Sequence, residues 1–338
     1  MKKKCILMLS VGLSFLIFAL LAVLSGVLKG KLEAQQMAQR WSESGGVAQV
    51  SCFFSVNARV TEEALEEFAH SVDSKLQEAS IVSESSNENA RMWADAYSAN
   101  GQITVQSDRD SITVDALGIG GDFFLFHPLQ LLSGSYFSGN DLMQDYCLLD
   151  QEAAWKLFGS NDIAGQVVYI GGRAHIVSGV IKHEEGKLYE AAGLDASQIY
   201  VSYETLETYG RNNGINHYEI VMPNPVEGFA MGCVENGISV GETEREFVEN
   251  SSRFSLWNCV KHIGKLATRS MNGKAIIYPY WENVARAYED ILAVFMLFEL
   301  LFLAYPVIII AGALRFGWKH RTWTVKSVIA RLRGGRKR

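Results

Sequence analysis

A chain of 338 residues, 48% hydrophobic and 20% charged, with five cysteines and a formal charge of −6, is long enough to bury a core without cross-links. Its charge is unevenly placed: 12 of the 31 Lys and Arg lie within 1–4 and 315–338, leaving 19 against 36 acidic residues within 29–290, a middle block near −17. An acidic block of that size argues against nucleic-acid binding, which is carried by cationic contacts to phosphate.

Lys2, Lys3 and Lys4 make a basic tail over residues 1–4. Cys5 to Leu28 then runs without a single charge, and Ile291 to Leu314 is a second apolar run of equal length with Glu299 as its one charged group. At about 1.5 Å per helical residue each reaches roughly 36 Å, enough to cross a hydrocarbon core of about 30 Å. Residues 5–28 and 291–314 are therefore predicted to be transmembrane helices, with 29–290 as one extracellular block and 315–338 as a second basic tail. The positive-inside rule places both ends in the cytoplasm. A cleaved signal peptide fits poorly, because the first run exceeds the usual h-region of about 7–15 residues and Leu24-Ser25-Gly26 is a poor cleavage site.

Within the block, Lys29 to Arg40 reads as a helical stalk ended by Gly45-Gly46. Val47 to Val60 reads as a strand, with Val50, Cys52, Phe54 and Val56 alternating against polar neighbours. Thr61 is placed to cap a helix whose apolar stripe is Leu65, Phe68, Ala69, Val72 and Leu76. Ser80 to Asn89 is loop-like, and strands are predicted over Gln102 to Gln106 and Ser111 to Leu117. Gly120 to Phe124 opens a short turn, Leu132 to Phe137 reads as a loop, and Cys147 to Leu149 as a strand. Asp150 caps a helix in which Ala153, Ala154, Leu157 and Phe158 face inward and which Gly159 stops. Val167 to Ile170 and Arg173 to Val177 form a hairpin closed by Gly171-Gly172. His217 to Met222, Pro225 to Asn236 and Arg245 to Val248 make a second β-α-β unit. Pro279 to Asp290 reads as a helix running into the second span. The predicted class is an α+β extracellular domain, with split β-α-β units around an inserted subdomain, between two transmembrane helices.

The cysteines Cys52, Cys147, Cys233 and Cys259 lack C-x-x-C spacing and read as buried thiols, although a Cys233–Cys259 disulfide is conceivable. His183-Glu184-Glu185 reads as a solvated turn, and His70, His127, His175, His217 and His262 are scattered without the i, i+4 spacing of a helical zinc site. No P-loop, G-x-S-x-G or dinucleotide motif is present, so no catalytic residue, cofactor or metal ligand is assigned. Glu299 is the candidate intramembrane functional residue, since a buried charge in a span is costly. Pro306, seven residues on, frees a carbonyl of that helix. Val325, Val328, Ile329 and Leu332 form an i, i+3, i+4, i+7 stripe among basic residues, suited to a membrane surface or to a partner chain.

The order Gly121-Asp122-Phe123-Phe124, Leu132-Ser133-Gly134, Glu152-Ala153-Ala154-Trp155-Lys156-Leu157-Phe158-Gly159, Gly165-Gln166 and Val177-Ser178-Gly179-Val180 resembles the periplasmic core domain of MacB-type, FtsX-like ABC transporter permeases. The matching motifs all fall between Gly118 and Ile181, and the tail–span–block–span layout extends the likeness over most of the chain. The resemblance implies packing roles for Phe123, Phe124, Ala153, Leu157, Phe158 and Gly159. It also implies a non-enzymatic permease-like subunit that transmits motion to and from an ABC-type ATPase supplied in trans, with a second permease chain or a homodimer as further partner. The family has four spans, so this chain is expected to correspond to a truncated form with two. A membrane-anchored extracellular binding or sensor module is the alternative.

Overall fold

The computed structural model describes residues 2–42, 45–81, 90–139, 141–271, 276 and 278–320. The chain divides into two compact units, one made of Met1–Leu28 with Ile291–Arg338, the other of Lys29–Asp290. The helices are α1 (Lys2–Gly30), α2 (Met37–Trp41), α3 (Glu62–Glu78), α4 (Phe123–Phe126), α5 (Gln151–Phe158), α6 (Lys187–Ala191), α7 (Tyr203–Tyr209), α8 (Phe229–Gly237), α9 (Leu256–Ile263) and α10 (Tyr280–Lys319), interspersed with the strands. These are β1 (Val47–Phe54), β2 (Ala94–Gln106), β3 (Ser111–Gly121), β4 (Leu131–Gly134), β5 (Tyr146–Asp150), β6 (Val167–Ile170), β7 (Arg173–Ile181), β8 (Gln198–Ser202), β9 (Arg211–Asn212), β10 (His217–Pro223) and β11 (Arg245–Glu249).

Strands β11, β1, β10 and β2 pair in that order, all antiparallel. Numbered within the β1-α3-β2 and β10-α8-β11 units this is 4-1-3-2, the order of a split β-α-β sheet. The two predicted units thus interleave in one sheet. Ala48, Val50, Cys52 and Phe54 of β1 and Tyr218, Ile220 and Met222 of β10 pack with Leu65, Phe68, Val72 and Leu76 of α3 and Ala230, Cys233 and Val234 of α8. The inserted part is a ring of pairings, β2-β3-β8-β5-β7-β6 and back to β2, closed by Val105↔Ile170 and Gln106↔Tyr169. Closure removes the free edges that an open sheet would expose.

Local signals explain most boundaries. Thr61 Oγ1 accepts from the Ala64 N–H, Asp150 Oδ1 accepts from the Ala153 N–H at 2.7 Å, and Gly159 stops α5 at φ +72. Gly171 and Gly172, at φ +56 and +77, close the β6–β7 hairpin as their positive φ requires.

Five expectations are corrected. The stalk does not continue helically: α1 stops at Gly30, a single 3₁₀ turn spans Glu33–Gln35, and α2 follows, with Leu32, Met37 and Ala38 buried. Strand β1 ends at Phe54 rather than Val60, while β2 and β3 extend to Ala94 and Gly121. The segment read as a loop begins with strand β4, which pairs with β7. Helix α8 starts at Phe229, four residues past Pro225. Phe158 is half-buried at the margin of the core, whereas Ala153, Ala154 and Leu157 are fully inside. Among the described residues no disulfide forms, and Cys52, Cys147, Cys233 and Cys259 are buried.

In the other unit, α1 and the apolar part of α10 are long and apolar enough to cross a membrane. Their contacts are polar and specific. Pro306 has no N–H to give to the Phe302 carbonyl four residues back, and Ser14 Oγ donates to that oxygen at 2.7 Å instead. Ser25 Oγ donates to Glu299 Oε1 at 2.6 Å, and Ser10 Oγ lies 2.8 Å from the Tyr305 hydroxyl. Serines 10, 14 and 25 share one face of α1 at about 100° per residue.

Candidate functional site

The alternation that sends Val50 and Cys52 toward α3 turns Gln49, Ser51, Phe53, His217 and Glu219 to the opposite face of the sheet. All five are buried here, because α2, the turn after α4 and the first turns of α10 cover them.

One end of this covered face is an ion-pair network. Arg253 is 1% exposed and grips Glu282 with both Nη atoms, at 2.7 and 2.8 Å, while its Nε–H bonds Glu289. Glu282 also accepts from Arg286 Nε at 2.6 Å, and Arg286 Nη2 reaches Glu246 at 2.8 Å. Arg269 bonds the second oxygen of Glu289. The Arg286 guanidinium lies 3.8 Å over the Tyr278 ring, whose hydroxyl donates to Glu246. Burial alone would raise Glu282 and Glu246, but the facing guanidinium groups outweigh it and hold both carboxyls below their usual range. Glu282, Arg286 and Glu289 sit at i, i+4 and i+7 on α10, a pattern legible in the sequence as one charged face that the apolar context disguises.

Hydrogen bonds carry the polar character across the sheet. Arg253 Nη1 donates to Asn250 Oδ1 at 3.1 Å, Asn250 Nδ2 to Ser51 Oγ at 2.7 Å, and Ser51 Oγ to Glu219 Oε1 at 2.7 Å. Glu219 faces His217 Nε2 at 3.0 Å and His127 Nε2 at 3.3 Å, all three side chains being at most 3% exposed. Burial pushes His127 below the ordinary imidazole range. Burial opposes ionisation of Glu219 as well, yet the two imidazoles hold it well below the carboxylate range. The donor atoms of His127, His217 and Glu219 lie within 4.8 Å of one another. The histidines that look scattered in sequence are therefore brought together, His217 by its pairing opposite Phe53 and His127 by the turn leaving α4. Trp281 packs against both, tilted to His127 with ring centroids 4.4 Å apart and edge-on to His217 at 5.3 Å. His127 and Trp281 also line a cavity of about 800 Å³ together with Leu129, Tyr189, Tyr280 and Tyr288.

The residues singled out by sequence fall as follows. Phe123 is buried beside this face, 4.5 Å from His127 and 5.8 Å from Trp281 between ring centroids, and Phe124 stacks on Tyr136 at 4.6 Å. Ala153 and Leu157 lie in the core on the helix side of the sheet, with Phe158 at its margin, and Gly159 has open space where a Cβ would stand, so it serves through its φ alone. His183 Nδ1 pairs with Asp150 Oδ2 at 3.1 Å rather than facing solvent. Glu299 belongs to the helix pair described above. Val325, Val328, Ile329 and Leu332 lie outside the described residues.

Residues 6–249 match the family model of the MacB-like periplasmic core domain. Among curated proteins, 136 residues are 25% identical to the macrolide export ATP-binding/permease protein MacB of Chromobacterium violaceum, covering 40% of this chain and 20% of that protein. A stretch of 169 residues is 24% identical to macrolide export ATP-binding/permease protein MacB 2 of Aeromonas hydrophila subsp. hydrophila, covering 49% and 25%. The match thus spans a quarter or less of these relatives' own length. Among solved structures, the periplasmic region of MacB from Actinobacillus actinomycetemcomitans aligns at 16% identity and a TM-score of 0.39, over 65% of this chain and 94% of that one. The extracellular domain of the noncanonic ABC-type transporter YknZ from Gram-positive bacteria aligns at 16% and 0.37, over 59% and 99%.

Proposed function

The chain belongs to the MacB-like periplasmic core domain family, and from that premise we propose that it is a non-enzymatic, permease-like membrane subunit of an ABC transporter assembly. In this reading α1 and α10 anchor it with both termini in the cytoplasm, the Lys29–Asp290 unit lies outside, and an ATPase in trans drives motion that the subunit relays. The observation that carries the proposal is the family match over residues 6–249, which takes in most of the first apolar run and the folded block as far as Glu249. The ion-pair network supports it. A relay needs its helix clamped to the domain it moves, and Glu282, Arg286 and Glu289 fix the first turns of α10 to the sheet through Arg253. The Val325, Val328, Ile329 and Leu332 stripe is assigned as the surface that docks on the ATPase.

Purification of the full chain from native membranes in mild detergent, with identification of the chains that accompany it, tests this. An ABC-type ATPase should co-purify with the wild type and be lost from the V328D/I329D double variant, which should stay folded in the membrane. Recovery without any ATPase would favour the alternative of a membrane-anchored binding or sensor module, for which the 800 Å³ cavity is the supporting feature.

A further inference from the structure

The His127–Glu219–His217 cluster has a polar imbalance that the protein alone leaves unresolved. Each imidazole Nε2 stands within 3.3 Å of a different oxygen of the same carboxylate, yet neither makes an aligned hydrogen bond to it. Buried nitrogens are rarely left this way, and two facing one carboxylate point to a shared occupant.

The surroundings orient the three groups toward one point. Ser98 Oγ engages His217 Nδ1 at 3.3 Å, which fixes the ring and leaves Nε2 directed at Glu219. Ser51 Oγ at 2.7 Å and Gln49 Nε2 at 3.4 Å hold the carboxylate from behind. Supporting hydrogen bonds of this kind, one to the far nitrogen of a histidine and others to the carboxylate, accompany metal ligands. His217 Nε2 lies 3.0 Å from one oxygen of Glu219 and His127 Nε2 lies 3.3 Å from the other, with one ligand atom of each residue within 4.8 Å of the others, so small side-chain shifts bring the three to the roughly 3.3–3.6 Å spacing of ligands about 2.0–2.2 Å from a tetrahedral ion. Arg40, which acts on Glu219 through space, gives its Nη2 hydrogens to the Leu125 and Phe126 carbonyls and leaves the carboxylate to the two rings.

We propose that His127, His217 and Glu219 bind a divalent transition-metal ion of the zinc class, with the fourth position turned to the cavity that His127 and Trp281 line. Two histidines and one carboxylate leave that position for water or an incoming donor. The ion would tie strand β10 to the turn after α4 beneath the first turns of α10, so its effect is on the stability of the Lys29–Asp290 unit.

The test uses the full chain in detergent, without a polyhistidine tag, stripped with a chelator and then titrated with cobalt or zinc. The expected result is one cobalt per chain, with the visible absorption of a four-coordinate site. Zinc at a hundredfold excess over its dissociation constant should raise the thermal midpoint by about 5–10 °C. H217A and E219Q should lose both signals, while H70A, on the exposed face of α3, keeps them. Cobalt retained equally by H217A, or a wild-type midpoint indifferent to both chelator and zinc, would overturn the proposal. Should the cluster variants fail to fold, the stripped and reloaded wild type decides on its own.

Discussion

Replacing Arg253 by methionine would remove one cation from a balanced network. Three guanidinium groups, of Arg253, Arg269 and Arg286, face three carboxylates, of Glu246, Glu282 and Glu289. Methionine retains most of the apolar stem of Arg253, so the loss is chiefly electrostatic. Glu282 keeps Arg286 at 2.6 Å and Glu289 keeps Arg269, but one negative charge in the network becomes uncompensated. Removing one partner of a buried pair costs about 3–5 kcal/mol. Glu246 is 36% exposed and can take up water, which favours the lower half of that range. At about 2–4 °C per kcal/mol for a unit of this size, the midpoint should fall by roughly 6–15 °C. Tryptophan fluorescence during thermal unfolding of the detergent-solubilised full chain reads this out. Adding E282Q removes the surplus charge and should recover part of the loss, a coupling that simple loss of packing would not show. An R253M midpoint within about 1–2 °C of wild type, on the order of 0.5 kcal/mol, would mean that the network is not what clamps α10 to the sheet.

Four further outcomes follow from the same geometry. Cysteines at Lys3 and Lys326 should resist impermeant thiol reagents in intact cells while one at Glu185 labels, and the reverse pattern would overturn the proposed orientation. L157A should destabilise the Lys29–Asp290 unit by about 2–5 kcal/mol and F158A by less, because Leu157 is fully buried and Phe158 is not; equal losses in thermal unfolding would contradict that ranking. S14A should loosen the helix pair by about 1 kcal/mol by orphaning the Phe302 carbonyl, and P306A should abolish that cost by restoring an N–H; an undiminished S14A effect in the P306A background would refute the link. Burial raises Asp95 to about 6, so the folded state binds its proton more tightly than the unfolded one, and stability on this account falls as pH rises from about 4 to 6; D95N should flatten that slope in unfolding curves, while an unchanged slope would exclude Asp95 as its source.

What the sequence discloses here is whatever depends on neighbours within a few residues. Thr61, Asp150, Gly159 and the Gly171-Gly172 pair act on backbone groups at most four positions away, and each is found where local chemistry places it. The two uncharged runs are equally local, since length and composition alone make them span-sized helices. Strand β4 escapes notice because Ser133 and Gly134 look like loop, and its strand state comes from pairing with β7, which lies beyond β5, α5 and β6 in the chain. The covered face is hidden for a related reason. Alternation in β1 and β10 correctly separates two faces, but whether the polar one meets water is decided by α10, which starts only at Tyr280 whereas β1 starts at Val47. No periodicity within β1 encodes that return. One local hint does exist: Phe53 stands in register with Gln49 and Ser51, and its ring stacks on His217 at 5.2 Å. A large aromatic among otherwise polar positions is difficult to reconcile with a solvated face and easy to reconcile with a second layer packed over it.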